Sequence, residues 1–517
     1  MVNFHKIAPL MQALGGERYE EAKQIAHVMQ RDTSTGGSWV GSPGNTPPLP
    51  NADPFYDFLT PDQVGKYALG DIINYRQVGF GDIDQVAAAW QVIFRSENST
   101  GHPIGALGTF IVPPGNDNLT AVVYPQPEDS SFINCASSYA LMSSFEDDFK
   151  WILEDGHALI IPDHEGFNSS FTAGILEGKI TLDTIRAWEN FRNVTYAQNN
   201  EYVMWGYSGG SIAAGWAGEM HAAYAPELNI KGYAVGGFVV DIEAVMLFCN
   251  KTPFMGFVPA GIWGLSMEYS PDMWDFVYGQ LVPNTTQEFM APLSQCMVAN
   301  LGQFAGQDVF SYFEDGQGVL TEPLIADIIT NNTLGKAVPQ VPMLIYMGVE
   351  DQIVPIHVVD KIVEYYCNNG ANLVYWRAAG LDHIGMQQTH DADALTFLNG
   401  LFAGDSPKGC NFMGVLPDFA NNYTGTYSSY ATTGSAVATS IVNSTAAATA
   451  TTTGAGTGSA AATGSATGTG SAAGTGSAAE TGSAAETGAT TSVPAANGSP
   501  ALLPSLAVVF AVLLSIV

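Results

Sequence analysis

Basic residues are scarce in this sequence, and their scarcity narrows the range of possible partners. Lys and Arg number 17 against 49 Asp and Glu in 517 residues, which gives a net charge of −32. Proteins that bind nucleic acids or anionic membrane surfaces use clustered Lys and Arg to neutralise phosphates. The composition therefore argues against both partners, whereas a neutral substrate such as an acylglycerol meets no electrostatic repulsion.

Cysteine is also rare, and none of the five cysteines belongs to a CxxC pair. No group of His, Cys and acidic residues has the spacing of metal ligands either, so the sequence predicts no metal and no other cofactor. Widely spaced cysteines are typical of long-range disulfides in a secreted protein, and the odd number leaves one thiol over. N-x-S/T sequons indicate a secreted glycoprotein as well. They begin at Asn98, Asn118, Asn168, Asn193, Asn250, Asn284, Asn331, Asn422, Asn443 and Asn497.

The C-terminal region lacks the composition of a folded domain. Residues 426–496 are rich in Ser, Thr, Ala and Gly, cannot bury enough apolar surface to fold, and are predicted to form a flexible, O-glycosylated stalk. Residues 497–517 place small residues before a terminal apolar run, the pattern of a GPI attachment signal, with Asn497 as the attachment residue. A membrane-spanning tail anchor is the alternative, although the run is short and contains Pro504. The sequence thus predicts an extracellular protein on the plasma membrane or cell wall, held to the membrane only by a C-terminal lipid anchor.

Residues 1–50 are predicted to be an N-terminal extension and linker. The first sixteen residues contain no long apolar segment, and a secretory signal peptide needs one. Either the true N-terminus differs from Met1, which we expect, or the predicted extracellular location is wrong.

Residues 51–425 alternate short β-rich runs with helical patterns, which predicts an α/β catalytic domain with a mostly parallel sheet. In such a sheet the functional site forms at the C-terminal ends of the strands. Residues 241–339 interrupt the alternation with aromatic and Met-rich segments, and we expect them to form an inserted helical lid. The apolar runs that predict strands are 158–162, 202–207, 232–240, 342–347 and 373–376.

Residues 206–210 (GYSGG) match the G-x-S-x-G pattern, which is weak by itself in a chain with 56 glycines. Here the pattern follows the strand-like YVMW and opens an Ala/Gly-rich helix, which is the setting of a nucleophile elbow in an α/β-hydrolase. Gly206 and Gly210 leave room for the strand and helix to pack closely. Ser208 is therefore the predicted nucleophile, and an ordinary Gly-rich turn is the alternative.

A serine nucleophile needs a histidine base and a carboxylate that orients it. In this fold the chain order is serine, acid, histidine. Asp351 follows the buried-type strand PMLIYM, and His383 follows the next strand, NLVYW. The gap between Ser208 and Asp351 leaves room for the lid.

Other residues compete for these roles. Glu350 and Asp382 are alternative acids next to the two favoured positions. Among the histidines, His164 and His221 break the expected order, and His357 and His390 are predicted to be surface or structural residues.

At these residues the chain resembles the fungal secretory lipase family, the group that includes Candida lipase A. The resemblance runs from Asp53 to about Gly404. It is carried by an ordered set of segments: DPFY from Asp53, GDIINYRQV from Gly70, PEDSS from Pro127, PDHEG from Pro162, the elbow GYSGGSIAAGWA, GVEDQIVP and GLDHIG.

The resemblance implies a triacylglycerol esterase with Ser208, Asp351 and His383 as its triad. It places the oxyanion hole on Gly209 and Asp129. The elbow itself would supply the Gly209 N–H, and Asp129 lies in a loop after an earlier strand-like run; a helix N-cap is the alternative role for Asp129.

The resemblance also implies disulfides Cys135–Cys296 and Cys367–Cys410, which would leave Cys249 free. The chain departs from the family in carrying a stalk and an anchor signal, and in having His164 where a tyrosine is usual.

The predicted function is hydrolysis of lipid esters, most simply triacylglycerols, through an acyl-enzyme on Ser208. A short-chain carboxylesterase or an acyltransferase with the same triad is an alternative. An inactive hydrolase-fold adhesion or structural protein of the cell wall is a third, which the intact Ser, Asp and His argue against.

Overall fold

The computed structural model describes residues 48–422, apart from residues 58, 81–82, 116–119, 143–145 and 193–199. The predicted stalk, the attachment signal with Asn497 and nearly all of the N-terminal extension lie outside the described residues. Within the described part of the chain, no helix has both the length and the apolar character needed to cross a bilayer.

Ten strands of the described residues form one mixed sheet in the order β1-β2-β3-β5-β4-β6-β7-β8-β9-β10. Pairs β1/β2, β2/β3 and β3/β5 are antiparallel, and every pair from β5 to β10 is parallel. This confirms the predicted mostly parallel sheet. The strands are β1 (Ile72–Val78), β2 (Ala88–Glu97), β3 (Pro103–Val112), β4 (Thr120–Val123), β5 (Ala158–Pro162), β6 (Glu201–Tyr207), β7 (Ile230–Gly236), β8 (Met343–Gly348), β9 (Leu373–Ala378) and β10 (Cys410–Gly414).

Helices cover both faces of the sheet. Along β6, Tyr202 and Met204 join the hydrophobic cluster on one face, and Val203 and Trp205 join the cluster on the other. Side chains of a strand alternate between faces, so a strand buried on both sides reads as a continuous apolar run. The helices are α1 (Pro61–Val64), α2 (Ser137–Ala140), α3 (Asp147–Glu154), α4 (Gly174–Arg192), α5 (Gly209–Tyr224), α6 (Ile242–Cys249), α7 (Phe257–Glu268), α8 (Asp272–Gln280), α9 (Thr286–Phe289), α10 (Met297–Phe304), α11 (Pro323–Asn331), α12 (Ile356–Asn368) and α13 (His383–Phe402).

The prediction of a strand over residues 232–240 was wrong at its C-terminal end. Strand β7 ends at Gly236 because Gly237 has a φ of +50° and turns the chain out of the sheet.

The chain between β7 and β8 folds as the helices α6 to α11 with short 3-10 turns, at the position predicted for the lid. Disulfide Cys135–Cys296 joins this insertion to the chain after β4, and disulfide Cys367–Cys410 joins α12 to β10. Both pairings agree with those implied by the family resemblance, and Cys249 is buried with a free thiol.

Candidate active site

Ser208 lies on a sharp turn between β6 and α5. Its φ of +49° and ψ of −123° fall in a region that non-glycine residues rarely occupy, and such strain is characteristic of functional sites. The Ser208 N–H donates to Gly236 O at 3.0 Å, which fixes the turn against β7. The flanking glycines are required, because a Cβ on Gly206 would collide with the Gly210 carbonyl, and one on Gly210 would collide with Pro125 O.

His383 connects Ser208 to Asp351. Its Nε2 is 2.9 Å from Ser208 Oγ, and its Nδ1 is 2.7 Å from Asp351 Oδ2. The other carboxylate oxygen of Asp351 accepts the N–H groups of Ile353 and Val354 at 2.9 and 2.7 Å. A carboxylate held in this way keeps the proton on Nδ1, so that Nε2 can accept the serine proton.

Two further residues hold His383 in place. The His383 backbone N–H donates to Gln352 Oε1 at 3.0 Å, the Tyr207 hydroxyl donates to the His383 backbone carbonyl, and the Tyr207 ring meets the imidazole edge to face at 5.3 Å. A Cβ on Gly237 would collide with the imidazole, so glycine is needed there. No role for Gln352, Tyr207 or Gly237 follows from the sequence alone. The one sequence signal for this region is the glycine pair Gly236-Gly237 at the end of β7, which indicates a close approach of another segment.

The competing residues lie elsewhere. Glu350 is exposed, and Asp382 accepts Gly385 N–H at 2.7 Å as the N-cap of α13. His357 is exposed, and His390 pairs with Asp393 at 2.9 Å.

Two more histidines are engaged away from the Ser208 hydroxyl. His221 contacts Leu228 O at 3.0 Å near the end of α5. His164 is buried against Glu177 and the carbonyl of Gln126, below the loop that carries Asp129.

Asp129 lies on the segment 124–131, which we call the oxyanion loop, and is 4% exposed. Its φ is +51°, and no helix begins there, so the alternative role of helix N-cap does not apply. The Asp129 carboxyl lies against Gly209, because a Cβ on Gly209 would collide with Asp129 Oδ1. Burial raises the pKa of the Asp129 carboxyl to about 7, against the opposing effects of His164 and His383. The two residues predicted to form the oxyanion hole are therefore in direct contact beside Ser208.

Ser208, Gly209 and Asp129 lie at the floor of a cavity of about 1040 Å³, a volume that includes the solvent at its opening. The insertion forms its roof. The polar residues that line the cavity are Asp129, Thr172, Ser208 and Glu243, and the rest of its lining is aliphatic, aromatic, Met or Gly. Such a cavity suits a large apolar group placed next to the serine.

The described residues contain no group of three or more His, Cys, Asp and Glu arranged to hold a metal ion.

Comparisons with known proteins agree with this geometry. The model of the secretory lipase family matches residues 149–409. Lipase A of Arthroderma benhamiae is 34% identical over 392 residues, covering 71% of this chain and 82% of that protein. A secreted triacylglycerol lipase of Malassezia globosa is 30% identical over 342 residues, covering 63% and 74%. The crystal structure of Candida antarctica lipase A in its closed state superposes with a TM-score of 0.66 at 29% identity, covering 70% of this chain and 89% of that one.

Proposed function

Because this chain belongs to the secretory lipase family and is a lipase-like serine ester hydrolase, we propose that its substrates are triacylglycerols. Hydrolysis would proceed through Ser208, His383 and Asp351. The observation that carries the proposal is the continuous hydrogen-bond chain from Asp351 through His383 to Ser208 Oγ at the floor of an apolar cavity.

In the proposed mechanism, His383 removes the Ser208 proton as Oγ attacks the acyl carbonyl, and Asp351 stabilises the imidazolium that forms. The backbone N–H groups of Gly209 and Asp129 stabilise the oxyanion. His383 then protonates the departing alcohol, and water attacks the acyl-enzyme with His383 as base. The ester is cleaved to acid and alcohol, and no cofactor takes part.

An exposed apolar helix supports a water-insoluble substrate over a soluble ester. Helix α6 lines the cavity with Val245 and Met246, while Leu247 and Phe248 on the same helix are 41% and 43% exposed. Exposed apolar patches of this kind commonly contact a lipid or protein partner. A neutral lipid surface is the partner that fits both this helix and the net charge of −32.

Hydrolysis of triolein emulsions and tributyrin by the wild-type protein and by Ser208→Ala tests the proposal. We expect activity on both esters, with the higher kcat/KM on triolein, and loss of both activities in Ser208→Ala. Equal activity of the two proteins would refute the serine mechanism. Activity confined to tributyrin would assign the short-chain carboxylesterase alternative, and acyl transfer to an added alcohol in preference to water would assign the acyltransferase.

We also propose an extracellular location with a lipid anchor attached at Asn497. This rests on the family membership and on the composition of residues 426–517. Phosphatidylinositol-specific phospholipase C should release the protein from cells, and Asn497→Gln should prevent anchoring. Protein that stays with the membrane after phospholipase treatment and is extracted only by detergent would indicate a spanning tail instead.

A further inference from the structure

His164 is a fully buried histidine with a hydrogen-bond acceptor at each ring nitrogen. Its Nε2 is 3.0 Å from the backbone O of Gln126, and its Nδ1 is 3.1 Å from Glu177 Oε2 on α4. A carbonyl oxygen can only accept, so Nε2 carries a proton. A second proton on Nδ1 would turn the contact with Glu177 into a charge-assisted hydrogen bond and make the ring a cation.

The Gln126 contact ties His164 to the oxyanion loop. Gln126 lies three residues before Asp129, and its side chain donates to Glu146 at 2.7 Å. The same loop contacts the elbow helix at two points, where Pro125 O meets Gly210 and Asp129 meets Gly209. The oxyanion loop is thus held at Pro125 and Asp129 by the elbow helix, and at Gln126 by His164. The position of the Asp129 N–H depends on both attachments.

Buried carboxyl groups lie on the two segments that the ring bonds to and on its own loop. They are Glu128 and Asp129 on the oxyanion loop, Asp163 and Glu165 on the loop of His164 itself, and Glu177 on α4, all buried. Burial raises the pKa values of Glu128, Asp129 and Asp163, and the charge of His164 opposes part of that rise. Burial lowers the pKa of His164, but the hydrogen bond and charge of Glu177 outweigh it and raise the pKa to about 9.

We propose that His164 is a buried imidazolium that acts as a positioning residue for the oxyanion hole, holding the Gln126 carbonyl while its positive charge is paired with the Glu177 carboxylate. The inference rests on the proposed function of the site. At position 164 this chain has a histidine where the family resemblance leads one to expect a tyrosine.

Deprotonation of the ring should disturb catalysis in a specific way. A neutral imidazole has one N–H and can keep only one of its two hydrogen bonds. The oxyanion exists only in the transition state and the tetrahedral intermediate, so a displaced donor lowers kcat and leaves KM nearly unchanged. The wild-type kcat should therefore decline above about pH 9, in parallel with the titration of His164.

The charge state is tested directly by ¹⁵N NMR of histidine-labelled Ser208→Ala protein, in which no catalysis interferes. Comparison with the Ser208→Ala/His164→Gln protein identifies the resonances. We expect both ring nitrogens of His164 to be protonated at pH 7, and a single-proton ring at pH 7 overturns the inference. This result does not depend on whether Ser208 is the nucleophile, which the Ser208→Ala activity measurement decides separately.

The catalytic consequence is tested with His164→Gln and Glu177→Gln. His164→Gln should lower kcat about tenfold, a fraction of the loss caused by deleting a donor outright, and should abolish the decline at alkaline pH. Glu177→Gln should move that decline to lower pH, because the imidazolium loses its counter-ion. An unchanged alkaline decline in both variants overturns the positioning role.

His221→Gln is the matched control, since His221 is also buried and contacts a backbone carbonyl, but at the far end of α5 from the elbow. It should leave kcat and the pH profile as in wild type, and a profile altered as in His164→Gln would contradict a specific role for His164. Glu177→Gln keeps the imidazole in place, so the pH profile remains decisive if His164→Gln does not fold.

Discussion

The floor and the roof of the cavity are built by different interactions. At the floor, Ser208 is hydrogen-bonded to His383 at 2.9 Å, and His383 is bonded in turn to Asp351 at 2.7 Å, at the ends of buried strands. The roof consists of helices of the insertion that face the cavity with apolar side chains such as Val245 and Met246. Directional bonds fix a geometry closely, whereas apolar contacts tolerate many occupants. We therefore expect the floor to determine the reaction and the roof to determine which esters are accepted.

The largest expected effect is at the floor. Asp351→Asn should lower kcat by a factor on the order of 10⁴ on every ester, because an asparagine amide favours the wrong tautomer of His383. Steady-state kinetics on tributyrin and triolein will measure it. Glu350→Gln, at the adjacent exposed acid, is the control and should retain activity. A comparable loss in Glu350→Gln would show that the acid has been assigned to the wrong residue.

A substitution in the roof should separate substrates rather than abolish the reaction. Val245→Trp fills part of the cavity, so kcat/KM on triolein should fall by a factor on the order of ten while that on tributyrin changes less than about twofold. Leu324→Trp, on an exposed position of α11, should change neither value. Equal losses on both esters would mean that the roof also positions the reacting groups.

The outer surface of the roof should matter only at a lipid surface. Phe248→Ser removes an exposed ring from α6 and should reduce activity on emulsified triolein by about fivefold, the equivalent of about 1 kcal/mol of lost apolar burial. Activity on a dissolved short-chain ester should not change. Tyr75→Ser, at an exposed residue of β1, is the control. A similar loss on the dissolved ester would indicate a folding defect instead.

The smallest expected effect is on the folding stability of the protein, through the buried acids near the active site. Burial raises the pKa values of Glu128 and Glu146 to about 8 and that of Asp163 to about 7. The folded state therefore holds protons that the unfolded state releases near pH 4, so stability is lost as pH rises from about 4 towards 8. His164 acts in the same direction, with its contribution lost between about pH 6.5 and 9.

The melting temperature should consequently be several degrees higher at pH 5 than at pH 8.5. Differential scanning calorimetry across this range will measure it, and the difference should shrink in Glu146→Gln. A Tm that rises with pH would contradict the assignment of protonated buried acids.

The triad residues could be predicted from the sequence more fully than the residues that support them. Ser208, Asp351 and His383 each follow a short apolar run, and strands β6, β8 and β9 carry them to one edge of the sheet, so local pattern and chain order sufficed. The roles of Gly237 and Gln352 cannot be predicted from the sequence because they depend on contacts between distant segments.

The acids around His164 were missed for a similar reason. Nothing in the letters PDHEG shows that this segment is buried against α4 and the oxyanion loop. The antiparallel strands β1 to β3 were also absent from the sequence prediction, because polar residues and glycines interrupt their apolar pattern.

The identity of the nucleophile is tested most directly by a fluorophosphonate probe that reacts with activated serines. After labelling, peptide mapping by mass spectrometry should find one adduct, on Ser208, formed in step with loss of triolein hydrolysis. His383→Ala should label at a rate lower by a factor on the order of 10³ or more. An adduct on another serine, or full inactivation without modification of Ser208, would contradict the account.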